Sequence, residues 1–136
     1  MKRGTFILTR LGDTPSAKGN SFQTVEMAVD ATGNIIVAGD AGSSIEGSAS
    51  ATVAGQPVAG QGASLLTLSE DLKTRKHWVT FANAGGSASS STVGVASRGG
   101  TTAFVAQASG DMVLQNQLHS TTAPAPGVDG GYLVLL

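Results

Sequence analysis

Apolar and polar positions fall into short runs with few helix signals, and the runs recur. VEMAVDATGNIIVAGD at Val25–Asp40 and VGVASRGGTTAFVAQA at Val93–Ala108 share the order apolar run, turn, apolar run. They lie 93 − 25 = 68 positions apart and align without a gap. SLLTLS at Ser64–Ser69 matches YLVLL at Tyr132–Leu136, where 132 − 64 is again 68, and Gly62 falls on Gly130 at the same offset. FILTRLGD at Phe6–Asp13 resembles HWVTFANAGG at His77–Gly86 with the register slipped by several residues. Self-similarity at a fixed period marks a structure built from one unit used repeatedly. The pattern predicts two units, residues 1–69 and 70–136.

Each unit offers four strands bounded by Gly, Ser, Asn or Asp. They are Thr5–Leu11, Val25–Asp30, Asn34–Gly39 and Ser64–Ser69, echoed by His77–Ala82, Val93–Ser97, Thr102–Gln107 and Tyr132–Leu136. ATGN and RGGT supply the tight turns of two hairpins. Val25, Met27 and Val29 share one strand face, opposite Glu26, Ala28 and Asp30. IIVAG, AFVA, SLLTL and YLVLL are apolar on both sides, which predicts a sheet covered on both faces. With few helix signals, the cover must be another sheet. Ala41–Gln61 and Ala108–Gly131 are connections long enough to carry function. ATVAGQPVAG holds an optional extra strand in the first, and Asp71–Lys76 links the units.

Composition sharpens this picture. Apolar residues are 40% and charged residues 12%, with 19 Gly and few aromatics. Ala, Ser, Thr and Val fill the difference, which suits stacked strands better than charged helix surfaces. The net charge of −1 leaves no basic field for nucleic acid. The groups Lys2, Arg3, Arg10 and Lys73, Arg75, Lys76 read as solvated strand edges. There is no Cys, which excludes disulfides and thiolate chemistry. No run approaches the roughly 18 apolar residues of a membrane span, and the basic start lacks the apolar run of a signal peptide.

AVDATGNIIVAG at Ala28–Gly39, a Ser-rich loop and GQGASLLTLSEDL at Gly60–Leu72 together resemble the bacterial SBBP-type beta-propeller repeat. WVTFANAGGS at Trp78–Ser87 is similar to that repeat's aromatic–Thr–aromatic, double-Gly stretch with residues inserted, and GVDGGYLVLL at Gly127–Leu136 to its closing strand. RGGT at Arg98–Thr101 stands where the family has an Asp-containing turn. The resemblance covers most of the chain. It implies a blade architecture and an extracellular or cell-surface setting, and no particular activity, since propellers host many unrelated functions.

Catalytic motifs are missing: there is no GxSxG, GxxxxGK, HExxH or helix-opening GxGxxG. His119, followed by Ser120, with Asp111 or Asp129 permits a hydrolase-like set, but a Pro-rich loop is a poor platform for a triad. Asp30-Ala-Thr-Gly-Asn34 offers too few oxygens for calcium, and Arg98 stands at its counterpart, so it reads as a structural turn. Trp78 is either a sugar platform or a packing residue of its strand. Candidate binding residues are therefore Asp111, His119, Asp129 and Trp78, with no catalytic residue, metal or cofactor expected.

The expected fold is all-β: two four-stranded antiparallel blade-like units of a β-propeller, with a single-chain two-sheet β-sandwich as the alternative. Two blades cannot close a ring of at least about four. The expected partners are therefore further copies of the chain, head to tail, or adjacent blades. The expected function is a non-enzymatic structural or binding module recognising its ligand through the long loops. The alternatives are a hydrolase-like enzyme and a carbohydrate-binding module.

Overall fold

The computed structural model describes residues 9–10, 19–20, 22–42, 44–45, 52–53, 56–57, 61–81, 90–114, 117–119 and 130–136. Every regular element among them is a strand: β1 (Thr9–Arg10), β2 (Gly19–Asn20), β3 (Phe22–Val29), β4 (Ile35–Ala41), β5 (Ser44–Ile45), β6 (Thr52–Val53), β7 (Gln56–Pro57), β8 (Gly62–Leu68), β9 (Arg75–Phe81), β10 (Ser90–Arg98), β11 (Thr101–Ala108), β12 (Met112–Leu114), β13 (Gln117–His119) and β14 (Gly130–Leu135). The chain is all-β. Its two main sheets are antiparallel and open, ordered β13-β12-β9-β8-β4-β3 and β10-β11-β14, rather than four strands each. β1 lies between β2 and β5 in a small third sheet, and β6 and β7 form a hairpin within ATVAGQPVAG.

The strand pairings of the first half recur in the second. Phe22↔Ala41 becomes Ser90↔Ala108, and Ala41↔Gly62 becomes Ala108↔Gly130. A bulge follows Thr24 in β3 and Thr92 in β10, at equivalent positions. Thr9↔Ile45 and Arg10↔Ser44 become Thr80↔Val113 and Phe81↔Met112. Ungapped alignment does not survive, however. The offsets are 90 − 22 = 68 and 130 − 62 = 68 for β3 and β8, but 108 − 41 = 67 for β4. The cause is the turn: three residues separate Asp30 from Asn34, while Gly99 and Gly100 alone separate Arg98 from Thr101. Gly99 and Gly100 both hold positive φ, as a two-residue hairpin loop requires.

The stretch His77–Ala82 is read as opening the second unit; its described part, up to Phe81, belongs to β9, which pairs along β8 and joins the first sheet. Its link, Ser69–Thr74, is a turn. The Ser69 hydroxyl donates to Asp71 Oδ1 at 2.6 Å and accepts from the Thr74 N–H at 3.0 Å.

The faces of the sheets decide how they stack. Cross-strand pairs place Ala28, Ile36, Ala38, Ala63, Leu65, Val79 and Phe81 on one face of the first sheet, called here its front. Met27, Val37, Leu66 and Trp78 lie on its back. By the equivalences above, the front of the second sheet carries Ala96, Ala103, Val105, Leu133 and Leu135, and its back carries Val95, Phe104, Tyr132 and Val134. One buried cluster joins Ile36, Ala38, Ala63, Leu65, Val79 and Phe81 to Val95, Phe104, Ala106, Ala108, Tyr132 and Val134. The sheets therefore pack front on back. Phe81 and Tyr132 meet edge to face across the layer at 5.3 Å, a contact of about 0.5–1.5 kcal/mol beyond burial.

Covering on both faces holds for β4 and β8 of the first sheet, where Ile36–Gly39 and Ala63–Thr67 are wholly buried, and fails at β3, whose back exposes Met27 and Val29. It fails for the second: β11 alternates, with Phe104 and Ala106 buried and Val105 exposed, and β14 buries Tyr132 and Val134 but exposes Leu133 and Leu135. Phe104→Ala removes a fully buried ring and should cost about 3–5 kcal/mol. Leu133→Ala, one position along from Phe104's cross-strand partner Val134 but on the open front, should stay within about 0.5 kcal/mol. Urea denaturation of both variants checks this; similar losses would contradict the assignment of faces.

Candidate functional site at the loop-bearing end

The two long connections leave equivalent places, after Ala41 and Ala108, and re-enter at Gly62 and Gly130. Stacking brings these openings side by side. The Ala63 N–H donates to Ser90 Oγ at 2.9 Å, tying the start of β8 to the start of β10. Gly62 holds φ +110°, and a Cβ there would collide with Ser90 Oγ, so glycine is required at this junction. Beside it, the Thr92 N–H donates to Asp40 Oδ1 at 2.7 Å and the Thr92 hydroxyl to the Gly39 carbonyl at 2.9 Å. Further along β10, the Val95 N–H donates to Glu26 Oε2 at 2.8 Å. Sequence reasoning missed Glu26, Asp40 and Ser90. Each reads as a solvated polar position, and only the neighbouring sheet gives it a partner.

Tyr132 fixes the second opening. Its hydroxyl donates to the Gly110 carbonyl at 2.9 Å from a buried position. This pins the segment before Asp111, which is half-buried next to β12. β13 pairs His119 with Met112, so the backbone brings residue 119 beside the Asp111 segment. Asp129 lies outside the described residues. Trp78 belongs to β9, where Leu66 is its cross-strand partner, and it is half-buried on the back of the sheet. The Arg75 guanidinium sits 5.5 Å from its ring centroid, a cation–π arrangement that occupies one ring face. Phe81 is the partner of Met112, so Trp78 and Asp111 are separated by about four strand positions, roughly 13 Å. The structure gathers Asp111 and the His119 backbone at one sheet end and leaves Trp78 apart.

The opposite end carries the turn considered for calcium. Asp30 Oδ1 accepts from the Thr32 N–H, the Thr32 hydroxyl and the Asn34 N–H at 2.8, 2.8 and 2.9 Å, and Oδ2 accepts from the Asn34 amide at 2.6 Å. Both carboxylate oxygens are spent inside the turn. Among the described residues no three acidic, His or Cys side chains gather to hold a metal. Gly33 completes the turn at φ +84°.

The chain matches no protein-family profile, no curated protein and no solved structure.

The donors around Asp30, led by the Asn34 side-chain amide and opposed by desolvation, lower its pKa from 3.8 to about 2. A folded-state pKa below the unfolded value stabilises the fold above the unfolded pKa. The contribution fades as pH falls from near 3.8 through about 2. The stability gap between the parent chain and Asp30→Ala should therefore narrow over that window. A gap independent of pH in acid titrations would show that the carboxylate does not support the turn.

Proposed function

We propose that this chain is a non-enzymatic structural and binding module made of stackable β repeats of the propeller type, recognising its ligand through its long loops. One observation carries the proposal: front-on-back packing of equivalent sheets sets the openings of equivalent long connections side by side at one end. Loops grouped on a rigid scaffold are where recognition commonly resides. A closed sandwich of two like sheets would bury like faces against each other, whereas here unlike faces meet, as in a stack that continues. The sequence resemblance to SBBP-type repeats agrees with a blade and brings an extracellular or cell-surface setting as part of the proposal.

The alternatives have less support. A carbohydrate platform wants an open aromatic face, and Trp78 shares its ring with Arg75. A hydrolase-like site needs a base fixed between two partners, and Asp111 is the one member of that candidate set whose side chain lies among the described residues.

Replacing Glu46–Gly60 with a short Gly/Ser linker spares β5 and the Ala41↔Gly62 pairing. The variant should keep the parent's circular dichroism and melt within a few degrees of it, while any ligand of the parent loses affinity. Loss of cooperative unfolding would assign the segment to the core and remove it from recognition.

A further inference from the structure

The internal junction shows which surfaces this repeat uses to bind its neighbour. The socket is the front of the first sheet, where Ala38 and Leu65 are fully buried. The plug is β10, which lies across β3, β4 and β8 and turns Val95 toward them. Each surface has a second version on the same chain. The counterparts of Ala38, Leu65 and Thr67 on the second sheet are Val105, Leu133 and Leu135, through 38 + 67, 65 + 68 and 67 + 68. Leu133 is 65% exposed and Leu135 63%. The counterpart of β10 is β3, where Met27 stands for Val95 and Val29 for Ser97. Met27 is 60% exposed and Val29 59%. Among the described residues, apart from Val25 and Val93, which occupy the two bulge positions, the exposed large hydrophobic residues all fall on these two surfaces.

We infer that the front of β11 and β14 is a docking surface for β3 of a second copy of this chain. The inference rests on the stacked-repeat reading above. The occupant follows from complementarity: the plug type that fills the buried socket is also exposed, with larger apolar side chains, on β3. A contact of this kind is heterologous, since the two copies use different surfaces, and it repeats until a ring closes or a filament grows.

The contact differs from the internal one in its polar clamps. Gly94 stands where Glu26 would be, Gln107 where Asp40 would be, and Phe22 where Ser90 would be. The carboxylate acceptors that hold Thr92 and Val95 are missing, and the back of β4 and β8 is already covered at Val37 and Leu66. Association therefore depends on apolar burial along β3 and rises with protein concentration.

Sedimentation equilibrium on the full chain tests this. The parent's mass should climb with concentration above that of one 13.5 kDa chain. Met27→Asp and Leu133→Asp should each remain at single-chain mass, because one has lost the plug and the other the socket. Mixed together they should form a one-to-one pair, since each keeps the surface its partner lacks. Both positions are exposed, so the parent's circular dichroism should persist; Val29→Asp and Leu135→Asp replace either variant that fails to fold. A parent that stays single-chain at its highest soluble concentration, a Met27→Asp chain that associates like the parent, or a mixture that stays monomeric overturns the inference. Loop excision reads the folding of one chain, so the broader proposal and this one fail separately.

Discussion

The fold depends on one contact, the front of the first sheet against the back of the second. Neither sheet has a core of its own, because a sheet buries a face only when something lies on it. Ile36, Ala38, Leu65 and Phe81 supply one half of the layer, and Phe104, Ala106, Tyr132 and Val134 the other. Edge strand β10 is held over this layer by side chains of the first sheet. Glu26 and Asp40 accept from the backbone N–H groups of Val95 and Thr92, which an edge strand would otherwise offer to any passing strand. Hydrogen bonds to charged groups are worth more than neutral ones, about 1.5–3 kcal/mol. Apolar area supplies adhesion, and the two carboxylates set the register.

That contact also explains why glycine and small residues fill the chain. At the junction, Gly62 admits Ser90, and a Cβ on Gly94 would stand 2.8 Å from the Glu26 carboxylate. Within the first sheet, beside the bulge of β3, a Cβ on Gly39 would likewise collide with the Gln23 carbonyl. Stacked sheets bring backbone close to backbone, and the sequence answers with Gly, Ala, Ser and Thr where helical bundles would use Leu and Glu.

Strands β3, β4, β8, β9, β10, β11 and β14, their hairpins and their recurrence were legible in the sequence, because Gly-containing turns and apolar runs are local signals; β12 and β13 were not, and most of the expected strand Thr5–Leu11 lies outside the described residues. The orientation of the faces was not legible. Val25, Met27 and Val29 form the cleanest apolar stripe in the chain, yet all three are exposed, while Glu26 on the other face reaches into the junction. Alternation says that two faces differ; it does not say which face meets the neighbour. The one-residue difference between the two hairpin turns was hidden as well. IIVAGDA and TTAFVAQA hold small or apolar residues at both parities, so offsets of 67 and 68 fit equally well. At the candidate site, Trp78 was legible as a residue of its strand, but its Arg75 partner three positions earlier was missed. Asp111 and His119 fall near each other only because β12 and β13 pair at the sheet edge, a long-range fact with no local signal.

The fold stands on unlike faces meeting, and side-chain proximity measures that directly. In a dilute solution of the chain, nuclear Overhauser spectra should connect the Phe81 and Tyr132 rings. The Leu133 and Leu135 methyls should show no cross-peak to Phe81 or Leu65. Strong cross-peaks from Leu133 or Leu135 to Phe81 or Leu65, with none between Phe81 and Tyr132, would mean that like faces meet, and the stacked-repeat account would be wrong.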